Sequence, residues 1–100
     1  MIRRAAKVDG NHGEIVSTLR GIGVHVFDAS ATGNGFPDLL CMFRGGIALV
    51  EVKNGNRPPS ARKLTIEQVR FHEAARLAGV TIHVVKNTDE ALALFGARAA

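Results

Sequence analysis

The sequence predicts a single α/β domain over residues 1–100, a mixed β-sheet of about four strands flanked by helices in the order α-β-β-β-α-β-α. Two apolar runs, Leu39 to Phe43 and Ile47 to Val50, flank Arg44-Gly45-Gly46, the signature of a β-hairpin with a glycine-permitted tight turn. On either side of it, stretches with apolar residues at helical spacing alternate with short β-branched runs, which layers helices against a sheet. The length suits one modest core, with ~65% of the unfolded surface buried on folding.

Composition excludes other classes. Hydrophobic residues make up 46% and charged residues 22%, the balance of a globular chain rather than a disordered one. No apolar run approaches the ~20 residues of a membrane span, and Met1-Ile2-Arg3-Arg4 is not followed by a signal-peptide core. The expected setting is therefore the cytoplasm, with no membrane partner. The single cysteine, Cys41, lies on an apolar strand and reads as a small core residue in a reducing compartment. A formal charge of +4 and a pI near 10 fit a polyanionic partner.

Residues 1–10 carry Arg3, Arg4 and Lys7 without periodicity and read as a basic, partner-contacting arm. Asn11 to Ile22 is an amphipathic helix, with Ile15, Val16, Leu19 and Ile22 in one stripe and Gly21 and Gly23 punctuating its end. Glu14, three residues after Asn11, has two readings that are not exclusive: a capping partner, or a third carboxylate for a metal site. Val24 to Phe27 is a short strand, and Ala29 to Gly35 is a connector that matches no P-loop.

After the hairpin, Asn54 to Lys63 contains Gly55, Pro58, Pro59 and Ser60, so it is neither a strand nor a helix interior. Arg57, Arg62 and Lys63 crowd this connection, as a solvated basic loop or as a rim that contacts phosphates. Thr65-Ile66-Glu67-Gln68 is a capping box that opens the second helix. Gln68, Phe71, Ala75 and Ala78 share one face of it, so Gln68 either caps alone or also touches a bound phosphate or Lys53. His72, one turn on, reads as a helix-face or core-margin residue. Gly79 stops the helix and Val80 to Val85 is a strand, with His83 on its solvent side. Thr88, Asp89 and Glu90 start a last helix through Phe95.

Against this frame the hairpin's charges are out of place. Asp38 opens its first strand, and Glu51 and Lys53 interrupt the end of its second. With Arg44 and Gly45 in the turn, Asp38 faces Glu51; with Gly45 and Gly46 there, Asp38 faces Lys53. Either way all three share one face, because side chains alternate with period 2. Like charges opposite one another destabilise a sheet, so the two acids need a cation. A hard divalent ion held by one or two carboxylates with water and substrate phosphate is the natural candidate. Lys53 lies roughly 7 Å along the strand from Glu51, suited to meet phosphate.

Pro37-Asp38 followed by Glu51-Val52-Lys53 resembles the PD-(D/E)xK nuclease superfamily. The wider set, Glu14 on the first helix, Gly35-x-Pro37-Asp38-Leu39, Glu51-Val52-Lys53, Leu64-Thr65 with Gln68 and His72, and Gly79-Val80, is similar to the VRR-NUC family in its small stand-alone form from phages and bacteria. The resemblance runs from about Glu14 to Phe95. It implies a restriction-endonuclease-like core and phosphodiester hydrolysis dependent on Mg2+ or Mn2+. Asp38, Glu51, Glu14 and the Val52 carbonyl would be metal ligands, with Lys53 as the catalytic cation. It further implies resolution of four-way DNA junctions, in a bacterial or phage-infected host cytoplasm; a homodimer is expected because concerted cuts in two strands need two sites held in fixed relation, which twofold symmetry most often supplies. Arg3, Arg4, Lys7, Arg57, Arg62 and Lys63 are the expected DNA contacts. Two other classes compete: an inactive nucleic-acid-binding relative of a nuclease, and a structural α/β protein with an accidental charge cluster.

Overall fold

The computed structural model of the chain describes residues 9–96. Arg3, Arg4 and Lys7 lie outside the described residues. The elements are α1 (His12–Gly21), β1 (His25–Asp28), β2 (Leu39–Phe43), β3 (Gly46–Val52), a 3-10 turn (Pro59–Arg62), α2 (Ile66–Leu77), β4 (Ile82–Val85) and α3 (Thr88–Leu94). One sheet runs β1-β2-β3-β4, antiparallel except for the parallel pair β3 and β4. The sheet is thus mixed, as expected, and α2 lies in the long crossover that a parallel pair requires.

The hairpin turn settles the register. Phe43 pairs with Gly46, and Arg44 (φ 49°) and Gly45 (φ 84°) both take left-handed backbone, the combination whose twist matches that of the flanking strands. Arg44 is an unusual residue for this conformation; its guanidinium stacks 4.9 Å above the centroid of the Phe43 ring. Leu39 then pairs with Val50, so one residue further out Asp38 stands opposite Glu51.

Strand alternation divides the sheet into two unlike faces. Val26, Leu39, Cys41, Val50, Val52 and Val85 form the core under α1 and α3, against Ile15, Val16, Leu19 and Ala91. Each large aliphatic side chain buried there contributes roughly 1.5–3 kcal/mol. Burial pushes the Cys41 thiol up to about 11, which makes it the inert core residue expected. The other face carries Leu40, Leu49 and Glu51. There α2 lies over the Glu51 end, held by an edge-on contact of Phe71 with Phe36 at 5.3 Å. The rest of that face is uncovered toward the hairpin turn and the edge strand β1: Ile47 is 72% exposed and Phe27 60%.

Several local expectations shift. Asn11 occupies the N-cap position of α1 without a capping bond, because its amide is engaged elsewhere. The Pro-rich connection contains one 3-10 turn, since a proline in the first turn forgoes an N–H that has no partner there anyway. The cap of α3 is Asn87, whose Oδ1 accepts from Glu90 N at 2.8 Å. His83 is half-buried rather than on a solvent face; it pairs with Val50 and therefore shares the core side of the sheet.

Candidate active site

Period-two alternation on β3 sends Val50 and Val52 into the core, and turns Glu51 to the face beneath α2, with Lys53 just past the strand end. Glu51 is 0% exposed and Lys53 8%. A buried carboxylate and a buried ammonium are costly unless paired and hydrogen-bonded. Here an amide stands between them. Gln68 Nε2 donates to Glu51 Oε2 at 2.9 Å, and Gln68 Oε1 accepts from Lys53 Nζ at 3.0 Å. The same Oε1 accepts from Thr65 N at 2.9 Å, and Gln68 N donates to Thr65 Oγ1 at 3.1 Å. The capping box is complete, and both readings of Gln68 hold together.

Asp38 is fixed from the backbone, its Oδ2 accepting from Val52 N at 2.8 Å. The loop before it packs directly on the start of α2. Gly35 has φ +79°, and a Cβ there would overlap the Glu67 carbonyl, so glycine is required where the Asp38 loop meets the helix that carries Gln68.

Glu51 is raised from the ordinary carboxyl range to about 9. Burial is the largest cause, followed by the neighbouring Asp38 carboxylate; Lys53 opposes these, and the Asp9 charge adds to them. His72, on the same side of α2 as Gln68, places Nε2 3.6 Å from Glu51 Oε1. Its imidazole is held below its usual range by burial and by the charge of Lys53, so it stands as a neutral ring at the site.

The expected site residues are thus only partly brought together. Asp38, Glu51, Lys53 and Gln68 converge. Glu14 does not join them: it is exposed and lines a separate cleft with Asn11 and Arg62. The acid whose charge reaches Glu51 is Asp9, which the sequence reading missed. Nothing in the sequence marked it: Asp9 stands two residues before Asn11, whose Nδ2 donates to Lys53 O at 3.2 Å and to Lys86 O at 3.0 Å, contacts that only the fold creates. Arg57 and Lys63 are exposed on the connection after Lys53, and Arg62 is half-buried there.

The donor set fits a hard cation. Among the described residues no three His, Cys, Asp or Glu side chains group as a metal cage, but Mg2+ is typically held by one or two carboxylates, with waters and substrate phosphate completing its shell. Glu51 Oε1 is buried without a hydrogen-bond partner, and it faces Asp38 across the sheet. A cation at this point would satisfy that oxygen and relieve the repulsion between the acids.

No protein-family model and no curated protein matches the chain. A solved structure described as a VRR_NUC domain is similar, with a TM-score of 0.64 and 29% identity, over 88% of this chain and 97% of that one. No helix among the described residues is long and apolar enough to cross a membrane. The mixed four-stranded sheet and three helices of the described residues, with this likeness over nearly the whole of both chains, make the chain similar to a VRR-NUC domain and support a domain of the nuclease kind.

Proposed function

We propose that the protein is a Mg2+- or Mn2+-dependent DNA endonuclease of the PD-(D/E)xK type, selective for branched DNA such as four-way junctions and working in the cytoplasm as a homodimer. One observation carries the catalytic part: the Gln68 amide that separates buried Glu51 from buried Lys53. A direct ion pair would neutralise both groups. Held apart, Lys53 keeps donor capacity for a phosphate oxygen and Glu51 keeps an oxygen for a cation. A buried, perturbed carboxyl held apart from a buried lysine is characteristic of functional sites.

In this reading Asp38, Glu51 and the Val52 carbonyl would hold the metal, with Asp9 as the further acid whose charge reaches Glu51. When bound, the ion supplies an activated water and stabilises charge developing on phosphorus. The chain's own residues do the rest. Lys53 Nζ stabilises the negative charge on the phosphate oxygens, a preorganised electrostatic role. Gln68 fixes the positions of Lys53 and Glu51 together, and the Val52 N–H holds the Asp38 carboxylate in orientation. Arg57, Arg62 and Lys63, with Arg3, Arg4 and Lys7 of the arm, would track the DNA backbone, so affinity should fall steeply with salt.

The test is incubation of the purified protein with labelled linear, flapped and four-way-junction DNA, in Mg2+, Mn2+ or chelator. Metal-dependent cleavage favouring the junction is expected. Asp38→Asn should abolish cleavage while DNA binding stays equal or tightens, because less negative charge then faces the phosphates. Full activity in that variant sinks the assignment. Tight binding by the intact protein without cleavage in either metal would make it a binding module.

A further inference from the structure

A polar cleft beside the hydrolytic residues is unused by the metal and transition-state chemistry described above, although Arg62 in its wall also stands on the expected DNA track. Its volume is about 210 Å³, and its walls include Asn11, Glu14, Asn54, Arg62, Lys86 and Asn87. Two atoms of these walls are buried without a hydrogen-bond partner, the donor Nε of Arg62 and the acceptor Oδ1 of Asn11. The Asn11 amide cannot turn to relieve this, because its Nδ2 is committed to the carbonyls of Lys53 and Lys86. Buried polar groups left unpaired are costly and call for a partner. In this cleft the partner must accept from Arg62 and donate to Asn11.

That requirement selects among the parts of a nucleic acid. An ionised phosphate only accepts, so it would leave Asn11 Oδ1 unpaired and would be repelled by the Glu14 carboxylate. A nucleobase presents donors and acceptors along its edges. The size agrees: the cleft is smaller than the ~300 Å³ at which sites for drug-sized ligands begin, which suits one base rather than a nucleotide. The position agrees too, since Asn11 joins the cleft wall to the Lys53 backbone and Asn54 follows Lys53 in sequence. A base bound here would belong to a nucleotide next to the phosphate that Lys53 meets.

We propose that this cleft takes an unpaired nucleobase of the strand being cut, read by its edge, with guanine preferred. The proposal rests on the nuclease reading for its choice of ligand. Among the described residues its walls include no aromatic ring, so recognition is by hydrogen bonds rather than stacking, and it therefore discriminates between bases. Along its Watson–Crick edge guanine offers O6 to Arg62 Nε and donates its N1–H and amino group to Asn11 Oδ1 and Glu14. Branched DNA supplies unpaired or readily unpaired bases, where the energetic cost of extrusion is least.

The experiment measures binding in chelator, where no cleavage occurs, so its outcome does not depend on catalysis. Fluorescein-labelled thymine oligonucleotides carrying one central guanine, one central abasic site or neither are titrated with the intact protein and followed by anisotropy. The guanine oligonucleotide should bind about tenfold more tightly than the abasic one, as one good base contact provides. Glu14→Ala removes an exposed side chain and should not disturb folding. It should lose the guanine preference while binding all-thymine DNA equally or more tightly, the direction opposite to simple loss of an interface. Equal affinity for guanine and abasic oligonucleotides, no measurable binding of any of them, or an unchanged preference in Glu14→Ala overturns the proposal. A protein that cleaves DNA yet shows no such preference keeps its nuclease function and loses this subsite; a protein that shows the preference yet never cleaves keeps the subsite and loses the nuclease reading.

Discussion

Glu51 is the residue on which the site's acid chemistry turns. Its carboxyl, ordinarily near 4.5, is raised to about 9 by burial and by the neighbouring acids. In the unfolded chain the proton leaves above about 4.5, whereas the native protein retains it up to about 9. Its contribution to stability is therefore complete at low pH and is lost as pH rises between those values. Without metal, Glu51→Gln should melt at a higher temperature than the native sequence, by a wider margin at pH 8 than at pH 5. Thermal melts in chelator at both pH values check this, and an equal margin would mean that Glu51 is already ionised in the native state. Divalent metal should stabilise the native sequence most at the higher pH, where the ligand sheds its proton more readily.

At the scale of the element, α2 works as a lever whose first turn reaches the site. Thr65 and Gln68 close its capping box and the same Gln68 amide holds Glu51 and Lys53. Gln68→Glu separates these duties. A glutamate retains the capping pattern and can still accept from Lys53, but it loses the donor to Glu51 and sets a carboxylate against a carboxylate. The melting temperature in Mg2+ should hold within a few degrees while cleavage falls by about 10² or more, comparable with the loss of one preorganised polar group. Unchanged cleavage would reduce Gln68 to a cap. The double role was legible because Thr65-x-x-Gln68 is a local spacing and the helical face of Gln68 follows from its period; the Nε2 and Oε1 partners depended on where the helix docks.

At the scale of the molecule, one site on a chain of this size cuts one strand, and paired cuts across a junction need two sites in fixed relation. Twofold symmetry is the commonest way to supply them. The uncovered end of the sheet supports this reading, since Phe27, Met42 and Ile47 stand exposed together on neighbouring strands. Apolar patches of this kind mark contact surfaces, although a standard interface requires about 800 Å² from each partner and would extend beyond these three. Sedimentation should show a dimer, and Ile47→Glu should yield a folded monomer that nicks junctions without resolving them. A native protein that sediments as a monomer with and without junction DNA rules the dimer out.

By itself the sequence determined the element order, the hairpin and the shared face of Asp38, Glu51 and Lys53, because turn chemistry and the period of a strand are properties of neighbouring residues. It left the hairpin register between two turns, since Gly45-Gly46 is as permissive a pair as Arg44-Gly45. The structure decided it through the left-handed backbone of Arg44. The third acid was decided the same way. Glu14 lies on a helix at plausible spacing, but the assembled fold leaves it exposed in the neighbouring cleft, and the further acid whose charge reaches Glu51 is Asp9. Asn11 shows the reason most plainly: its expected local cap is replaced by bonds to the carbonyls of Lys53 and Lys86, because buried backbone acceptors must be paired, and which carbonyls are buried beside it is a property of the assembled fold alone.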